Sequence, residues 1–330
     1  MHVDTARELK ALLSRRLSEA PPGAVVASDA PGDWSGVALG LAPVAPGQVH
    51  LAVRLLAEAD AALVLDGLED AARAEVDVRV IGPVRPQRSP APDQPTPDQL
   101  QQRTRPLVPG ISVAHPAVTA GTLGGFVTRQ GAEGLLVLSN NHVLAAGDAA
   151  SVGDPVLQPG PADGGSAADR VATLTAFERF VSTGNLVDAA VAALDPGVDA
   201  DPAGYPGGAL LGRVLAADEV DPDEQVEKVG RTTGHTRGRI TAVEVDGVGV
   251  QYDEGVVHTF DDQIEVEGLR GSFSEGGDSG SVIWRSSDRA PLGLLFAGSA
   301  TGGSAGGGVT FANPLATVLS VLGLVFVAGG

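Results

Sequence analysis

From Ile111 onward the chain is a succession of short apolar runs, at 121–128, 135–138, 189–194, 209–214, 225–229, 240–250, 263–266, 281–284 and 292–297, each stopped by Gly, Asp or Asn turns. Runs this short cannot bury themselves singly. As strands they must pair and close on one another, which limits this part of the chain to the barrel or sandwich class. Its length, about 220 residues, is enough for two small barrels side by side. The 45 glycines and 23 prolines, set against 4% aromatics, favour many strands and turns over long helices.

Ahead of this region the pattern differs. Leu9, Leu12, Leu13 and Leu17 recur at helical spacing within residues 5–19; strand-like runs follow at 36–41 and 49–55, then a helical stretch at 60–74 and a strand at 76–81. Residues 1–85 therefore form a small α/β domain, whose histidines His2 and His50 are isolated. Residues 86–109, rich in Pro and Gln and without apolar periodicity, form a linker. Arg85, Arg88, Arg103 and Arg105 make the region around it a site for proteolytic nicking. The domain that follows spans 110–330, divided at about residue 200 into two halves, 110–200 and 205–330.

A formal charge of −19 excludes a nucleic-acid partner, since no basic footprint exists to displace phosphate counterions, and disfavours anionic membranes. Without cysteine there is neither disulfide nor thiolate chemistry, and no apolar signal-peptide core opens the chain. Both point to the cytoplasm. From 290 to 330 only Arg289 bounds an uncharged tail, but Gly302, Gly308 and Pro314 interrupt it, and the apolar piece 315–328 is shorter than the ~20 residues a spanning helix needs. It is predicted as a buried helix, 315–322, followed by a strand, 324–327.

Three segments carry chemistry. In residues 135–144 (LLVLSNNHVL) His142 sits where the chain leaves an apolar strand. In 184–194 (GNLVDAAVAAL) Asp188 opens an otherwise apolar strand, where an ionised carboxylate needs a partner. In 275–283 (EGGDSGSVI) glycines crowd Ser279, letting the N–H groups of Gly277 and Ser279 face one point, as an oxyanion hole requires. Singly these are a structural histidine, a turn aspartate and a Gly-rich turn. Jointly they supply a nucleophile, a base to take its proton and an acid to fix the base. The order His, Asp, Ser excludes the α/β-hydrolase order Ser, Asp, His, and position 281 is Ser where G-x-S-x-G needs Gly. The remaining histidines, His115, His235 and His258, show no metal-ligand spacing, so neither metal nor cofactor is expected.

These segments resemble the chymotrypsin-like serine proteases, with 46 residues from His142 to Asp188 and 91 from Asp188 to Ser279. Residues 228–234 (KVGRTTG) and 308–315 (GVTFANPL) resemble the streptogrisin and α-lytic branch, and the wording SNNHVLA and GDSGS is similar to cytoplasmic trypsin-like proteins of the narrow-leaf type. The resemblance implies a mainly β fold: two six-stranded antiparallel β-barrels with a C-terminal helix, behind the small α/β domain. It implies catalytic His142, Asp188 and Ser279, an oxyanion hole at Gly277 and Ser279, and peptide or protein substrates. It implies that Arg231 pairs with Asp278 behind that hole, Lys228 being expected on the opposite side of its strand. It also implies a specificity pocket at Phe273, Ala297, Gly298, Ser299 and Thr310, with Phe273 at its base and an apolar or small residue before the scissile bond. The alternatives are a catalytically latent peptide-binding scaffold and an esterase on the same three residues. A homo-oligomer is compatible with the sequence.

Overall fold

The computed structural model describes residues 1–19, 36–58, 61–66, 68, 70–86, 98–129, 131, 134–253, 256–304 and 306–329. Arg88 and most of the Pro-rich part of the expected linker lie outside them. The N-terminal elements are α1 (Val3–Ser18), β1 (Val37–Ala45), β2 (Gln48–Leu55), α2 (Ala61–Leu65), α3 (Asp70–Arg73), β3 (Val76–Val80) and the two-residue β4 (Arg85–Pro86). The first half of the larger unit holds α4 (Asp98–Gln101), β5 (Ser112–Val113), β6 (Gly121–Thr122), β7 (Gly125–Arg129), β8 (Leu136–Ser139), α5 (Asn141–Leu144), β9 (Pro155–Leu157), β10 (Arg170–Phe177) and β11 (Ala190–Leu194). The second holds β12 (Gln225–Gly230), β13 (Gly234–Asp246), β14 (Val248–Asp253), β15 (Val256–Phe260), β16 (Gln263–Gly268), β17 (Val282–Arg285), β18 (Pro291–Gly302), β19 (Gly308–Pro314), α6 (Leu315–Leu322) and β20 (Leu324–Phe326).

In the second half the strand order β12-β17-β18-β19-β16-β13 closes on itself, because β13 also pairs with β12. All six contacts are antiparallel, so this is a closed six-stranded barrel. The first half is a six-stranded antiparallel sheet in the order β20-β7-β8-β11-β10-β9. It wraps Leu123, Phe126, Val137, Val143, Val171 and Leu174. A further cluster around Trp284, Leu294, Leu315 and Phe326 sits where α6 lies against both halves. α6 and β20 fall where the sequence predicts them, and no helix among the described residues is long and apolar enough to cross a membrane.

The N-terminal unit has the expected α/β make-up. α1 lays Leu13 on Leu39, Leu51 and Val53, and β3 runs parallel to β2 after the short helices. Its sheet is not separate, however. β1 pairs with β13 through Leu39↔Asp246 and Leu41↔Val243, so β1, β2 and β3 extend the sheet of the second barrel. Arg54 of β2 reaches Glu265 of β16 with two hydrogen bonds of 2.6 and 2.8 Å, both side chains fully buried. Asp77 and Thr241 complete this group. Two sequence expectations fail here. Residues 209–214 form no strand but a loop whose carbonyls at Gly208 and Ala209 are held by Arg289. The single helix expected at 60–74 is divided into α2 and α3.

Candidate active site

β8 leaves the core of the first sheet at Ser139, and the chain turns at once into the single-turn α5, which carries His142. Asp188 lies just before β11, the neighbour of β8, where Ala190 pairs with Ser139. This pairing brings acid and base together: His142 Nδ1 lies 2.5 Å from Asp188 Oδ2, and the His142 N–H donates to Oδ1 at 3.2 Å. An acceptor at Nδ1 fixes the ring so that Nε2 is left to face away from Asp188. Asp188 is fastened in turn. Its N–H donates to Asn313 Oδ1 at 3.0 Å, its carbonyl accepts from Asn140 Nδ2 at 2.7 Å, and the Tyr252 hydroxyl donates to its Oδ2 at 2.7 Å. Tyr252, from β14, also packs its ring edge-on to His142 with centroids 5.7 Å apart.

Ser279 belongs to the second barrel and meets the first at close quarters. Its carbonyl accepts from Thr122 N–H at 2.7 Å, and the Thr122 hydroxyl donates to the Gly277 carbonyl at 2.8 Å. Gly280 has φ +97°, and a Cβ there would overlap Ser139 Oγ and the Thr122 carbonyl. Only glycine lets the nucleophile loop sit this close to the strand that leads into His142. The expected serine–histidine hydrogen bond is not made. Ser279 Oγ donates to the Phe296 carbonyl at 3.1 Å, and His142 Nε2 is buried without a hydrogen-bond partner. Ser279, His142 and Asp188 expose 0%, 1% and 0% of their surface.

The cation behind this loop is Lys228, not Arg231. Asp278 is fully buried and accepts from Thr232 N–H (2.9 Å), Thr233 N–H (3.1 Å), the Thr233 hydroxyl (2.6 Å), Glu275 N–H (3.0 Å) and Lys228 Nζ (3.1 Å). Strand parity explains the choice. Asp278 faces Gly230, where a Cβ would strike its carboxylate, and Lys228 is two residues back on the same face of β12. Arg231 lies past the strand end and turns to Asp163, which accepts from its Nε at 2.7 Å, tying the second barrel to a loop of the first. The acid is on the lysine's side of β12. Burial draws the Lys228 pKa below the ordinary lysine value, and Asp278 pulls against it.

The residues expected to form a specificity pocket lie near one another, Gly298 pairing with Thr310 across β18 and β19, and the neighbour of Phe273, Ser274, bonding Thr310. Phe273 is buried in the core of the second barrel against Val266 and the bare face of Gly238. Thr310 shares a 2.7 Å hydrogen bond with Ser274, Ser299 Oγ bonds the Thr301 carbonyl, and Ala297 and Gly298 pair with β4. His235 stacks on Trp284 and bonds Glu227, His115 bonds Asp154, and His258 bonds the Val181 carbonyl. Among the described residues no three His, Asp or Glu side chains come together in a way that could hold a metal ion. Tyr252, Asn313 and Lys228 were not singled out for the site from the sequence. The one available sign was that Tyr252 is one of only two tyrosines.

Two six-stranded antiparallel units thus face each other, with a His–Asp pair on one and Ser279 on the other. The fold is mainly β, with one closed six-stranded antiparallel barrel, a second six-stranded antiparallel sheet and a C-terminal helix. No family model matches the sequence, and no curated protein matches it. Solved structures similar to it include a glutamic-acid-specific serine protease described as using a histidine triad in substrate binding, 18% identical, TM-score 0.47, covering 67% of this chain and 100% of that one. Protease A of Thermobifida fusca is 20% identical, TM-score 0.45, with 67% and 98% covered. A chymotrypsin of Cellulomonas bogoriensis is 22% identical, TM-score 0.45, also with 67% and 98% covered.

Proposed function

We propose that this protein is a serine endopeptidase in which Ser279 is the nucleophile, His142 the general base and Asp188 the residue that orients the base. The observation that carries this reading is the 2.5 Å contact of His142 Nδ1 with a fully buried, fourfold-anchored Asp188, on the barrel that Ser279 abuts. His142 Nε2 takes the Ser279 proton as Oγ attacks the substrate carbonyl, then delivers it to the leaving amine. Water hydrolyses the acyl-enzyme by the same transfers in reverse. The N–H groups of Gly277 and Ser279 stabilise the oxyanion, a contribution of about 100- to 1000-fold in rate per donor. Asp278 supports them by clasping Glu275 N–H and the 232–233 turn together.

The test is labelling by a fluorophosphonate, which reports an activated serine without assuming a substrate. Labelling of the wild type and its loss in Ser279→Ala support the assignment; an unlabelled wild type that is correctly folded refutes it. The reading as a latent scaffold draws on the burial of Ser279 and His142 and on the hydroxyl's turn toward Phe296. Comparison of peptide with simple ester substrates separates an endopeptidase from an esterase.

A further inference from the structure

β3 is the last strand of the sheet that runs from the second barrel into the N-terminal unit, and among the described residues it pairs with β2 alone. The pairing is parallel and keeps one register from Leu51↔Val76 to Leu55↔Val80. Leu51 N–H donates to the Glu75 carbonyl at 2.9 Å, and Ile81 N–H donates to the Leu55 carbonyl at 2.9 Å. Backbone groups alternate along a strand, so residues 75, 77, 79 and 81 address β2. The N–H and C=O groups of Val76, Val78 and Val80 therefore point outward from the sheet.

An open edge is a template for another strand, and soluble proteins blunt theirs with lysine, proline or a bulge. β3 (VDVRV) has none of these. Val78 and Val80 are 37% and 42% exposed. Asp77 and Arg79 lie on the other face of the strand. Asp77 accepts from Arg54 at 3.0 Å and from Arg79 Nε at 3.2 Å, and Arg79 also reaches Glu267. Neither side chain is sealed off, with 24% and 23% exposed.

The order of residues in β3 is symmetric about Val78. Reversed and laid beside itself, the strand sets valine against valine and Asp77 against Arg79. Moving the centre to Val76 would put Asp77 opposite the partner's Glu75, a like-charge pair. Moving it to Val80 would put Arg79 opposite the partner's Ile81 and Asp77 opposite the partner's Pro83. Centres in between set an outward residue against one that addresses β2.

We propose that β3 is a self-association edge, to which a second copy of this chain adds its own β3, antiparallel, across a two-fold axis at Val78. Val78 then exchanges both backbone bonds with the partner's Val78, and Val76 does so with the partner's Val80. Asp77 and Arg79 occupy the closer, non-hydrogen-bonded positions, where each meets the opposite charge. That complementarity selects the chain's own copy over an unrelated strand, and the contact is self-complementary as a two-fold interface requires. One short strand pair is a small contact, so the dimer forms in a concentration-dependent equilibrium.

Sedimentation velocity on the full-length chain over a roughly hundredfold concentration range tests this. The 33.2 kDa monomer should give way to a species of twice that mass. Val78→Lys places two ammonium groups face to face at the axis and leaves the bonds to β2 in place. It should remain monomeric with an unchanged Tm. A wild type that stays monomeric throughout, or a folded Val78→Lys that still dimerises, overturns the proposal. Because the chain has no cysteine, single introduced thiols report the register. Under oxidation with diamide, Val78→Cys should cross-link with itself, and Val76→Cys with Val80→Cys only when the two are mixed. Val152→Cys, at a residue 64% exposed in the first half, should not cross-link. Failure of Val78→Cys to link, or linking of Val80→Cys to itself, overturns the proposal. Should Val78→Lys not fold, the cross-linking pattern decides.

Discussion

Replacing Lys228 with methionine removes the ammonium facing Asp278 while keeping most of the side-chain volume. Asp278 would retain four donors, from Thr232 N–H, Thr233 N–H, the Thr233 hydroxyl and Glu275 N–H. Its charge would be surrounded by dipoles but left without a cation. Breaking a buried ion pair at one end costs about 3–5 kcal/mol, and the four remaining bonds place this variant near the lower figure. At roughly 2–4 °C per kcal/mol, Tm should fall by about 6–12 °C. Asp278→Asn strands the ammonium with only the Thr233 hydroxyl and the Gly234 carbonyl, and should cost at least as much. The double variant buries no charge, so it should be less destabilised than the two singles added together, by about 1–3 kcal/mol. Thermal melts and urea titrations of the four proteins measure this cycle, and the fluorophosphonate labelling rate of each reports whether the 275–279 turn is still held. Arg231→Ala is the control, since it breaks the contact with Asp163 and leaves Asp278 paired. Should Lys228→Met melt with the wild type while Arg231→Ala shows a coupling to Asp278, the parity argument is refuted.

Ser279→Ala should abolish labelling and hydrolysis while its melting curve overlays the wild type. Tyr252→Phe removes a hydrogen bond to an ionised carboxylate, worth about 1.5–3 kcal/mol, and should slow labelling by roughly 10- to 100-fold; an unchanged rate and pH profile would show that Asp188 does not depend on it. Burial alone would raise the Asp77 pKa, but Arg54 and Arg79 outweigh it and hold the group below the usual carboxylate range. Its folded pKa is thus depressed, so its stabilisation is complete above the unfolded value of about 3.9 and is lost as pH falls through the folded one. The urea midpoint should drop more steeply below pH 4 in the wild type than in Asp77→Asn, and parallel curves would contradict the assignment.

The reasons some features could be read from the sequence and others not are physical. His142 and Asp188 could be foreseen because each sits at the end of an apolar run, and adjacent pairing of two such strands leaves their polar ends together. α6 and β20 were legible because Pro314 and Gly323 bracket a run with one continuous apolar character. The Lys228 assignment failed on one bit of information, the face of β12 that Asp278 occupies, which strand alternation does not supply. β10 (RVATLTAF) was missed because its alternation of Thr and Ala is weak, and its stability comes from β9 and β11 on either side. β4 had no signal at all: two residues pairing through their backbone leave nothing in side-chain pattern. The stretch at 209–214 has the apolar content of a strand, but its entry is held in a loop by Arg289 through the Gly208 and Ala209 carbonyls.

The position of β20 has a consequence for biosynthesis. It completes the first sheet by pairing with β7, so Phe126 and Val127 are joined to a strand made some two hundred residues later. At the other end, β1 must wait for β13. With translation at roughly 5–20 residues per second, β7 spends on the order of ten seconds or more without that neighbour. Neither half can finish by vectorial, start-to-end folding. The emerging chain instead holds unpaired apolar strands until Phe326 clears the ribosome, which makes it a natural client for chaperones that shield such edges.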